Sequence, residues 1–168
     1  VLFRSRAIID NVFEATERFK LLNELADVWA ERANTPQKAV EALEEAVEIE
    51  PQNHVLLHKL LQLYSKTQQW AQMVECLQKI ADIEPQPERK SRYLYTMAQL
   101  HRDKLDDQLR AVELFNEALD LNPTFLEAFE RINKILTQGK DWKGLERAFR
   151  KMLHRVVGKG NSDLEYNL

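Results

Sequence analysis

The sequence predicts an all-α protein: a solenoid of about four antiparallel helix pairs with partial helices at both ends. Three observations carry this. A proline-terminated phrase recurs along the chain, as AVEIEP at residues 46–51, IADIEP at 80–85 and ALDLNP at 118–123. Upstream of each phrase, apolar residues return at i, i+3, i+4 and i+7, the spacing that lines one face of a helix. The 168 residues include only 4 Gly and 5 Pro, so the stretches between helix breakers are long, and 44% hydrophobic residues suffice for a continuous core.

The prolines at 51, 85 and 123 are separated by 34 and 38 residues, which divides the chain into units 19–51, 52–85, 86–123 and 124–157. In the first, Leu22, Leu25, Ala26 and Trp29 lie on the first helix, and Ala39, Leu43 and Ala46 on the second. The second unit places Leu57, Leu60, Leu61 and Tyr64, then Met73, Leu77 and Ile80. The third places Leu94, Met97, Ala98 and His101, then Ala111, Phe115 and Ala118. The fourth places Phe129, Ile132, Asn133 and Leu136, then Leu145, Phe149 and Met152, with Val157 where the proline would fall. A helix of about 14 residues is only ~21 Å long and marginal alone, so each stripe must be buried against a partner. Junction residues agree: Thr35-Pro36 reads as a cap followed by an N1 proline, Asp106 and Asp107 precede the helix of Ala111, and Asp141 precedes Trp142.

Those residues resemble the tetratricopeptide repeat (TPR) pattern, in which a first helix W-x2-L-G-x2-Y is followed by a second helix A-x3-F and a closing proline over about 34 residues. The resemblance covers residues 19–157 and implies stacked helix pairs forming a right-handed superhelix, with each repeat touching only its neighbours.

A second period overlies the first. Ala39 with Ala111, Trp70 with Trp142 and Leu77 with Phe149 are each 72 residues apart. Units one and three keep small residues at Ala26, Ala39, Ala46 and Ala98, Ala111, Ala118, whereas units two and four carry Leu61, Met73, Ile80 and Asn133, Leu145, Met152. The structural unit is therefore expected to be a pair of repeats, and the recurring Trp70 and Trp142 are expected to share a packing role between neighbouring repeats. At the same offset residues 1–12 align with the second helix of unit two, Ile8 falling on Ile80, so 1–18 read as the last helix of a preceding, truncated repeat and a linker. Gly158-Lys159-Gly160 breaks the fourth unit. Ser162-Asp163-Leu164-Glu165 is a capping box that starts a further repeat or a capping helix over 158–168. With Val1 in place of an initiator methionine, the chain reads as an excerpt of a longer array.

Charge and composition narrow the function. The 24 basic and 27 acidic side chains sum to −3, which offers no electrostatic footprint for nucleic acid or an anionic membrane. No apolar run approaches the ~20 residues of a membrane span, and no leader segment is apparent. Cys76 is the single cysteine, which excludes an intrachain disulfide and fits a reducing compartment, the cytoplasm being favoured. It lies beside Leu77 and reads as a packed thiol with no base to activate it. His54 and His58 share a face without an accompanying H-E-x-x-H arrangement, and His154 sits near a helix C-terminus. Phosphate-binding glycine loops and nucleophile elbows are absent. The expectation is a binding protein with no catalytic residues, no metal and no cofactor.

The resemblance also implies a site. First helices of such arrays line the inner, concave surface, and the matching non-core positions here are Lys20, Asn23, Asp27, His58, Gln62, Lys66, Arg92, Tyr95, Gln99, Arg102, Glu127, Glu130 and Lys134. The middle of that surface, His58, Lys66, Arg92 and Arg102 with Tyr95 as a stacking platform, is basic and suited to an acidic peptide or a carboxylate. Asp27 stands where carboxylate-clamp members use asparagine, which argues against capture of chaperone tails. The expected function is a protein–protein interaction scaffold gripping a peptide or partner segment. The alternatives are a self-assembly segment joined end to end through its terminal helices, and a regulatory domain of an enzyme or DNA-binding protein whose other parts lie outside this sequence.

Overall fold

The structure, a computed structural model, describes Ile9, residues 14–33 and residues 35–157. The described residues form helices and connecting loops, with no strand among them. Helix α1 (Ala15–Asp27) continues into a π-helical turn, Val28–Arg32, and is followed by α2 (Pro36–Ile49), α3 (His54–Thr67) and α4 (Trp70–Ile83). Then come α5 (Pro87–Asp103), α6 (Gln108–Leu121), α7 (Leu126–Gln138) and α8 (Trp142–Val157). Every start recurs 72 residues later: 15 and 87, 36 and 108, 54 and 126, 70 and 142. The two halves differ in how the first helix ends, by a π turn in one and a single 17-residue helix in the other. A π turn is the usual way for a helix to absorb an extra residue. The expected partial helices at 1–12 and 158–168 lie outside the described residues.

Two compact units share the helices, one up to Ile80 and one from Ala81. In the first, α1 packs on α2 and α2 on α3. Leu22, Leu25, Ala26 and Trp29 meet Ala39, Val40, Leu43 and Ala46, all buried, and the alanines let the axes approach closely. The Cys76 thiol ties α4 to α3 by donating to the Leu57 carbonyl at 3.3 Å. In the second unit α5 packs on α6, α6 on α7 and α7 on α8. Phe115 and Ile132, with no exposed surface, anchor it.

Helix ends follow local chemistry. The Asn53 carboxamide accepts from the amides of Val55 and Leu56 at 3.1 and 3.2 Å, Asp107 from Arg110 at 3.0 Å and Asp141 from Gly144 at 2.9 Å. Each satisfies amides that the first turn leaves unpaired. Replacing Asn53 with alanine is therefore expected to cost about 0.5–2 kcal/mol, read as a lowered urea midpoint with unchanged slope. Thr35 departs from expectation: its hydroxyl donates backward to the Trp29 carbonyl at 3.4 Å and caps nothing, so the N1 proline alone starts α2. The residues before α4 and α8 repeat a detail as well, since Gln68 (φ 57°) and Lys140 (φ 53°) are both left-handed and 72 apart.

The expected packing role of the recurring tryptophans holds for neither as written. Trp70 is half-buried, and Trp142 is 60% exposed. Phe149 touches Phe129 edge-on at 5.0 Å but remains 39% exposed. With Leu153 and Val157 these residues fall on one side of α8, and no later helix among the described residues covers it.

Candidate partner-binding surface

The first-helix positions sort differently in the two units. In the first unit, Lys20 on α1 and His58, Gln62 and Lys66 on α3 are exposed. Asn23 and Asp27 are half-buried because both hold Lys59, whose ammonium donates to Asn23 Oδ1 at 2.9 Å and to the two Asp27 oxygens at 2.7 and 3.0 Å. The lysine answers the charge of Asp27, so the repulsion expected of that carboxylate toward an anionic partner is largely cancelled. Sequence reasoning passed over Lys59 because its partners lie 32 and 36 residues away.

In the second unit, Arg92, Glu127, Glu130 and Lys134 are exposed, while Tyr95, Gln99 and Arg102 are half-buried. The Tyr95 ring packs against Phe115 (centroids 5.3 Å apart, planes at 58°) and Phe125 (4.8 Å, 35°). Its hydroxyl accepts from Arg131 Nε at 3.4 Å. The ring is thus partly committed to the core, and its hydroxyl edge is the part left to meet a partner. Arg102 forks onto the neighbouring Asp103 with bonds of 2.6 and 2.7 Å. That hydrogen bond holds the Asp103 carboxyl below its usual range against a modest opposing effect of burial, and the charge of Arg131 adds to it. Arg102 is therefore engaged rather than free to fork onto a ligand. The cationic groups of the α5–α7 face are Arg92, one turn before Tyr95, together with Arg131 and Lys134 on α7. Arg131 was not anticipated from sequence, since only the contact with Tyr95 assigns it.

Elsewhere the chemistry is muted. Burial pushes the Cys76 thiol up to about 11, with a small opposing effect from Lys79, so the nucleophilic thiolate is scarce at neutral pH. His101, expected at a core position, is half-buried with Nδ1 3.5 Å from Asp107. Among the described residues no three His, Cys, Asp or Glu side chains cluster in a way that could hold a metal, and no helix is long and apolar enough to cross a membrane.

Residues 91–125, which span most of α5 and all of α6, match the family model described as tetratricopeptide repeat. No curated protein matches the chain. Among solved structures it is similar to a crystal structure of MamA, 14% identical with a TM-score of 0.55 over 95% of this chain and 88% of that one. It is also similar to MamA of AMB-1, at 18% identity and a TM-score of 0.56 over 90% and 85% of the two chains. MamA of MSR-1 gives 17%, 0.53, 94% and 93%. At such identities the likeness is one of fold, and that fold is a TPR-like helical solenoid. Scaffolds of this kind generally bind proteins and are generally not enzymes. By the match at residues 91–125 and the shared fold, the chain is a helical-repeat protein of the tetratricopeptide kind.

Proposed function

We propose that the chain is a protein-interaction scaffold that holds a peptide or partner segment along the outward faces of its first helices, with the α5–α7 face as the main contact. The observation that carries this reading is the cationic group around the Tyr95 hydroxyl: Arg92, Arg131 and Lys134, flanked by the engaged Arg102–Asp103 pair. An acidic segment suits it, because carboxylates meet guanidinium groups through short charge-assisted bonds. The other candidate positions, Lys20, Asn23, Asp27, His58, Gln62, Lys66, Gln99, Glu127 and Glu130, extend the reading along the remaining first helices.

The test is fluorescence polarisation against a library of short acidic peptides. The double charge reversal Arg92→Glu and Lys134→Glu, both at exposed positions, is expected to weaken the best peptide by tenfold or more, about 1.4 kcal/mol, while circular dichroism stays unchanged. Equal affinity in the folded variant would remove the reading. Tyr95→Ala is unsuitable for this purpose because it also strips contacts from Phe115 and Phe125. A second reading, assembly between copies of the chain, is favoured by the exposed stripe of Trp142, Phe149, Leu153 and Val157 on α8. It predicts a sedimentation coefficient that rises with concentration and falls back on Leu153→Lys.

A further inference from the structure

The 72-residue repeat places two equivalent grooves in the chain, one between second helices α2 and α4 and one between α6 and α8. Their volumes differ, about 400 Å³ for the first and about 770 Å³ for the second. The substitutions between them account for the difference. In the first groove Tyr64 is buried, and its hydroxyl donates to Glu44 at 2.8 Å. The Gln69 side chain also donates to Gln37 at 2.7 Å, joining α2 to the turn before α4. In the second groove, the positions of Tyr64 and Cys76 hold Leu136 and Ala148. Those of Gln37 and Gln69 hold Leu109 and Asp141; the aspartate turns back to cap its own helix, and Leu109 stands 83% exposed. The ring and the bridge that close the earlier groove are both gone. The remaining floor is Val112, Ile135, Leu136 and Ala148.

The charges differ in the same direction. Glu113 and Glu117 of the lining are held by Arg110 at 2.8 and 3.3 Å, and Asp120 by Lys151 at 3.3 Å and Arg155 at 2.6 Å. Arg147 replaces the Glu75 of the first groove. Its Nε donates to the Lys143 carbonyl at 3.3 Å, and it meets no carboxylate among the described residues. The groove thus combines an open apolar floor, acids already neutralised and one cation available to an anion. Its volume falls within the range of small-ligand and side-chain pockets.

We propose that the α6–α8 groove is a second docking site, separate from the first-helix face, for a partner segment carrying an aromatic side chain next to a carboxylate. The ring takes the place that Tyr64 fills in the first groove, and the carboxylate meets Arg147. Binding through an apolar anchor with one flanking charge is a common arrangement for short recognition segments.

The test titrates labelled chain with short peptides centred on Phe-Glu, Ala-Glu or Phe-Lys and follows backbone and methyl NMR shifts. The Phe-Glu peptide is expected to move Leu109, Leu136 and Ala148 and to bind at least about tenfold more tightly than the other two. Leu136→Tyr, which refills the groove, and Arg147→Glu, which restores the charge of the first groove, are each expected to weaken it about tenfold. Because Leu136 is partly buried, Leu109→Gln at the exposed rim supplies a variant that leaves folding intact, with several-fold weakening expected. Arg92→Glu leaves this binding unchanged, which separates it from the first-helix site. Shifts confined to other helices, equal affinity for the three peptides, or undiminished binding by the folded variants would each overturn the proposal. So would concentration-dependent self-association abolished by Leu136→Tyr, since the occupant would then be a second copy.

Discussion

Truncating Phe115 to alanine is expected to destabilise the second unit by about 3–5 kcal/mol, the largest effect of any single side chain discussed here. The ring has no exposed surface, and it lies against Tyr95 with centroids 5.3 Å apart. Its loss removes apolar contacts from α5 and leaves a cavity that helices fixed by their own hydrogen bonds cannot easily collapse. Phe149 occupies the corresponding place in the fourth repeat, yet it is 39% exposed. Phe149→Ala is therefore expected to cost roughly 1 kcal/mol, since much of that ring is already in water. Urea denaturation of the two variants measures the contrast. Equal losses would show that the exposure of α8 seen in the structure is absent in solution.

Enlarging Ala118 to leucine is expected to cost about 1–3 kcal/mol, because overfilling a close-packed crossing forces backbones or rotamers to move. Ala118 has no exposed surface, and it is one of the small residues that recur on second helices α2 and α6. The matching residue on α8 is Met152, equally buried. Met152→Leu nearly conserves volume and is expected to cost under about 1.5 kcal/mol. The pair tests whether small and large crossings alternate along the array as the sequence pattern implies. If Ala118→Leu leaves the thermal midpoint within a degree of the parent, the crossing is not tight and the alternation carries no packing meaning.

Much of the fold was legible before any coordinates. Recurrent proline phrases, stripes at i, i+3, i+4 and i+7, and the offset of 72 lead to helix starts at 15, 36, 54 and 70 and their counterparts. The caps Asp107 and Asp141 were equally legible, because a carboxylate and the amides it accepts from are three residues apart. Thr35 was misread since a hydroxyl both donates and accepts, and only the position of the Trp29 carbonyl decides which it does. The π turn at Val28–Arg32 left a trace in the sequence as an extra residue between helices, but its placement depends on how α1 and α2 pack.

The candidate sites divide along the same line. The sequence by itself determined that the chain is a stack of helix pairs and which residues lie on each helix face, because both follow from spacings shorter than ten residues. Tertiary structure alone decided that Lys59 answers Asp27, that Arg131 meets Tyr95, and that Arg155 and Lys151 neutralise Asp120. These partners are 31 to 36 residues apart, and their distances follow from helix crossings rather than from local spacing. It likewise decided that one of two equivalent grooves stays open, since the volume left between α6 and α8 depends on the summed bulk of side chains from three helices.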